Sequence, residues 1–158
     1  MSRFVLGLVV ASVFAAAPAA ASTGPVSDTI AGVEGLSANI STTGNFAGVA
    51  TGQLPGLWAA TVNHVPLTYT PGTQTPITGG TFTLKGIGGV TLSGAISGGS
   101  VTPTVLPGGC GNQVFTISAT VQGVGSFIGV LTHYRTSIFG ACVTYGASVT
   151  GSAALNTP

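Results

Sequence analysis

From Ser37 to the C-terminus no window of this sequence places apolar residues at i, i+3, i+4 and i+7, while apolar and polar residues alternate at a period of two throughout. A helix buries one stripe at a 3.6-residue period and a strand buries every second side chain, so one pattern cannot serve both. The chain is therefore expected to be all-β.

The alternation breaks into short strands. Residues 45–51 and 57–64 flank the turn-forming stretch 52–56, and pairing Thr51 with Leu57 puts Phe46, Gly48 and Ala50 on one face with Trp58, Ala60, Val62 and His64. Residues 65–78 carry Pro66, Pro71 and Pro76 and read as a turn-rich connection, because proline donates nothing to a central ladder. Alternation resumes in 81–85 and 90–97, with Gly94 a candidate bulge, and 100–106 is a weaker strand interrupted by Pro103. Residues 112–152 give three further strands. Pairing Gln122 with Ser126 sets Phe115, Ile117, Ala119 and Val121 against Phe127, Gly129, Leu131 and His133, and pairing Arg135 with Ala141 adds Val143, Tyr145, Ala147 and Val149 to that face. A shared G-x-F-x-G-V-x-T pattern at 44–51 and 125–132 suggests glycines that make room for a neighbouring aromatic, Tyr145 in the second copy.

About eight short strands predict a small antiparallel β-barrel, with a β-sandwich as the alternative. The barrel is preferred because no charges are placed to protect sheet edges, and closure removes the edges. Cys110 and Cys142 are the only cysteines and are expected to form one disulfide. Their strands are separated by a middle one, so the glycine-rich loop 107–111 must fold over the sheet end to bring them into bonding distance.

The N-terminus reads as a signal peptide over residues 1–21: Arg3, an apolar run at 4–17, and Ala19-Ala20-Ala21 ahead of cleavage near Ala21. The run is shorter than the roughly 20 residues of a membrane-spanning helix. A secreted, extracellular protein is expected, with 22–36 a flexible N-terminal arm, or else a short first strand, and 37–158 a single all-β domain. The Ala/Val/Gly/Thr-rich composition resembles that of small secreted bacterial proteins.

Charge excludes whole classes of function. Beyond the leader only Lys85, Arg135, Asp28 and Glu34 are charged. Nucleic acid needs several cations on one face, and a calcium cage needs several carboxylates. Paired-carboxylate hydrolysis and a Ser-His-acid triad would both have to draw their acid from the arm, and no G-x-S-x-G occurs. No cofactor and no metal site is implied. An outer-membrane barrel is disfavoured by an outer surface of Thr and Ser where a lipid-facing apolar band is required.

The residues left for ligand binding are His64 and His133 on inward faces, Arg135 near a strand end, and Trp58 and Tyr145 as aromatic walls. The expected role is a non-enzymatic extracellular or cell-envelope protein, binding or structural, with an envelope component as its partner. The alternatives are a small apolar ligand in the barrel lumen or, further off, an enzyme using a lumenal histidine for proton transfer.

Overall fold

Every strand pairs antiparallel with the next, and the last pairs with the first, so the sheet closes on itself as an eight-stranded barrel. The computed structural model describes residues 25–35 and 42–157. The expected signal peptide, residues 1–21, lies outside them. The strands are β1 Pro25–Gly35, β2 Thr43–Gly52, β3 Gly56–His64, β4 Thr75–Gly86, β5 Thr91–Val105, β6 Gln113–Val121, β7 Gly125–Ile138 and β8 Ala141–Asn156, with no helix among the described residues.

Alternation builds the wall directly. Val26 and Ile30 of β1, Phe82 and Leu84 of β4, Phe115, Ile117 and Val121 of β6, and Val149, Ala153 and Leu155 of β8 all point into the lumen and are buried. Each large apolar side chain removed from water there contributes about 1.5–3 kcal/mol. Thr81, Ser93, Thr116, Thr120 and Thr150 point outward and are exposed. Among these hydroxyls the outer wall also exposes Val33, Val49, Leu57, Ile128 and Val130.

The up-and-down course gives the barrel unlike ends. At one end lie the first and last described strand ends and the short connections 53–55, 87–90 and 122–124; at the other lie the longer connections 65–74 and 106–112 and the β7–β8 turn. The disulfide Cys110–Cys142 closes at this second end, with a Cα–Cα distance of 5.1 Å, by way of the 106–112 connection.

Several expectations need correction. The arm expected at 22–36 is, over Pro25–Gly35, the strand that closes the barrel between β2 and β8. Residues 75–78, expected in a connection, begin β4. The weak strand at 100–106 is the second half of the 15-residue β5, whose ladder shifts at Pro103/Val105, so the proline sits at an irregularity where no donor is needed. Gly94 pairs regularly with Phe82, and the other β5 irregularity falls at Ile96/Gly98.

The hairpin registers differ by amounts that matter unequally. Val49, not Thr51, faces Leu57, and Val121, not Gln122, sits beside the β6–β7 turn opposite Gly125. Both are slips of two, which leave every side chain on its expected face. The β7–β8 pair differs in kind. Ile138 faces Ala141, and a shift between Tyr134 and Arg135 leaves Tyr145 unpaired, reversing the faces of β8 above it.

The two G-x-F-x-G-V-x-T copies do make room for aromatics, though not for Tyr145. Gly48 pairs with Gly32 on β1 and with Trp58 on β3, and the Trp58 ring lies where a Cβ at Gly32 would sit. Gly129 pairs with Gly151 of β8, and the ring of Phe127 covers both.

Asp28 is the one buried carboxylate, 2% exposed, and its oxygens accept the Leu54 N–H at 3.0 and 3.2 Å, pinning the β2–β3 loop to β1. Asp28→Ala leaves that N–H without its acceptor and is expected to cost about 1–3 kcal/mol in urea unfolding, with Asp28→Asn costing less because one acceptor oxygen is kept. Equal losses in the two variants would show that the hydrogen bond is not what holds the loop.

Candidate functional site

Apart from Asp28 at the opposite end, polar groups gather inside the barrel near the end with the long connections. Val33 pairs with Ser148 and His133 with Ala147, so on the inner wall Glu34, Ala147 and His133 form one row across β1, β8 and β7. Two strand spacings, roughly 10 Å, separate the outer members of such a row. The methyl group of Ala147 leaves the space between them open, and the two longer side chains meet across it. His133 Nε2 lies 3.1 Å from Glu34 Oε2, with side chains 15% and 22% exposed. The His133 ring packs on Phe115, centroids 5.1 Å apart.

The 65–74 connection folds over this end. Thr68 N–H donates to the hydroxyl of the buried Thr75, Gly72 N–H donates to the Pro103 carbonyl, and Tyr69 sets its ring edge-on to Phe115 at 6.4 Å. Beneath it is a cavity of about 40 Å³ lined by Glu34, His64, Leu67, Leu131 and His133 among others. A volume of that size holds a few water molecules. His64 faces it but is already bonded, its Nδ1–H donating to the Val65 carbonyl at 2.7 Å.

Deeper in the lumen is a second cavity of about 60 Å³, walled by Ile30, Trp58, Phe82, Ala119, Phe127 and Ala153, with Phe46, Val62 and Ile117 bordering both cavities. It exists because Ala60, Ala119 and Ala153 stand where larger side chains would close it. Trp58 presents its ring there and directs its indole N–H outward through the wall, to the carbonyls of Ala31 at 3.2 Å and Val49 at 3.1 Å.

The five expected ligand-binding residues thus divide. His64 and His133 share the smaller cavity, and Trp58 walls the larger. Arg135 lines neither; it stands past the rim, its backbone N–H held by Asn112 Oδ1 at 3.2 Å. Tyr145, expected on the inner face, is 68% exposed on the outside, its ring 6.2 Å from that of Tyr134. The unpaired position in the β7–β8 ladder turned it outward.

Glu34 and Asp28 were the residues missed. Val26, Asp28, Ile30 and Glu34 share one parity, so reading 25–35 as a strand would have put both acids inside. The contact between His133 Nε2 and Glu34 Oε2 fixes the orientation of the imidazole. Among the described residues no three His, Cys, Asp or Glu side chains converge as metal ligands. Comparison with known families, with characterised proteins and with solved structures found no match.

Proposed function

We propose that this is an exported, non-enzymatic barrel that serves as a binding or structural protein outside the cell or in its envelope. The observation that carries this reading is the filled lumen. Its two cavities, about 60 and 40 Å³, fall well short of the roughly 300 Å³ at which small-molecule sites begin. The Glu34–His133 pair has the geometry of a proton-transfer group, but the space beside it takes water and not a substrate. The disulfide agrees with an oxidising compartment, where such bonds persist. Native mass spectrometry of the secreted protein tests the reading: the oxidised polypeptide alone is expected, and a bound small molecule released on unfolding would overturn it.

One observation favours a second reading, a small apolar ligand in the lumen. The larger cavity is walled almost wholly by apolar groups, and such voids stay dry and accept compact hydrocarbons. If the cavity is a site, xenon under pressure raises the melting temperature and Ala119→Leu, which fills the void, abolishes the rise. An absent rise, or one that survives the substitution, would dispose of this reading.

A further inference from the structure

The β7–β8 hairpin outgrows the barrel. β6 pairs with β7 only as far as His133, and β1 pairs with β8 only as far as Ser148. Beyond those rows the two strands have only each other, and they continue to Ile138 and Ala141. Five residues of β7 project by roughly 16 Å. Every residue from Thr136 to Tyr145 is exposed. The ribbon is tied close to its tip, at Cys142 opposite Ser137, to Cys110 of the 106–112 connection.

What the ribbon presents is not what a solvated turn needs. Its tip is Phe139-Gly140, with φ of 50° and 81°, and Phe139 is the only non-glycine residue at positive φ among the described residues. Asn, Asp or Gly fits such a position with less strain. Phe139 is also 105% exposed, with Ile138 at 46% beside it and the Tyr134–Tyr145 ring pair on the same ribbon, set back toward the barrel. A strained, fully exposed aromatic is a reason to look for a function. Arg135 is the only charged side chain on the ribbon, and no acid lies within it.

We propose that this hairpin docks the barrel onto an anionic lipid surface, Phe139 and Ile138 entering the headgroup region, the tyrosine pair lying at its edge and Arg135 facing lipid phosphate. Tyrosine suits the boundary between hydrocarbon and water, and a basic group beside an apolar tip adds attraction to anionic lipid. A bilayer also accepts a side chain that has solvent on every side, whereas a protein partner would have to offer a pocket for it. Export supplies the setting in which such a surface is met. The inference therefore rests on the proposed function for its biology, while its test reads only the hairpin.

The test is flotation of the purified, disulfide-bonded protein with vesicles of phosphatidylglycerol and phosphatidylcholine, and with phosphatidylcholine alone. The wild-type protein is expected to float with the anionic vesicles. Phe139→Asn, which suits the turn and should fold at least as well, is expected to lower partitioning by about tenfold. Arg135→Gln is expected to weaken binding to anionic vesicles and leave the weaker binding to phosphatidylcholine unchanged. Absence of flotation, or flotation equal in Phe139→Asn, overturns the proposal. So does a self-associated protein that ignores vesicles and is dispersed by Phe139→Asn, because the occupant would then be a second copy of the chain.

Discussion

Phe115→Ala is expected to lower the unfolding free energy by about 3–5 kcal/mol in a urea titration, with the slope unchanged. The side chain is 0% exposed, opposite Leu131 in the ladder, and touches the rings of Tyr69 and His133. Its removal therefore costs more than transfer of one ring to water. The Tyr69 edge contact that seats the 65–74 connection disappears, and the void opens beside the wall of the smaller cavity. A closed barrel cannot collapse into such a void as a loosely packed helix pair can, since eight paired strands fix its circumference. Phe115→Leu keeps most of the volume and is expected to cost less than about 1.5 kcal/mol. An alanine variant that loses less than about 1 kcal/mol would mean that this end of the lumen is not packed around Phe115.

The barrel was legible because its wall is written in parity. A slip of two residues in the β2–β3 or β6–β7 turn changes which residues are neighbours but not which face water, so the inner positions of Trp58, Ile117 and Leu131 survive errors of register. Two things were not legible, for opposite reasons. β1 alternates, but one of its inward positions is Asp28 and another is Glu34; a carboxylate in a core position reads as solvent-facing unless its partner is known. Those partners, the Leu54 N–H and His133, are 26 and 99 residues away. Tyr145 failed because a single unpaired residue reverses parity, and nothing local in the flanking Thr144 and Gly146 marks where the ladder shifts. The candidate site was thus half readable. Its histidines lay on a regular inner face, while the acid that orients one of them was hidden in the strand read as an arm.

Replacing Cys110 and Cys142 together by Ser is expected to remove about 3–4 kcal/mol, the chain-entropy value for a bridge spanning 32 residues. Where the loss appears matters as much as its size. The bridge joins a loop between β5 and β6 to the ribbon that projects from β7 and β8, and a two-stranded ribbon without a third strand is marginal in water. Backbone amides of residues 134–145 are therefore expected to lose protection from hydrogen exchange by more than the global loss of stability accounts for, while those in the barrel segments of β4 and β6 follow global unfolding. Asn112 Oδ1, which accepts from the Arg135 N–H, is a second tie between loop and ribbon. If the double-serine variant keeps full protection in 134–145, that contact and the strand pairing suffice to hold the ribbon. If protection falls there alone and the global midpoint is unmoved, the bridge acts on the hairpin and not on the unfolded chain. Both results depart from the entropic expectation, and the second would make the disulfide a brace for the exposed tip rather than a staple for the fold.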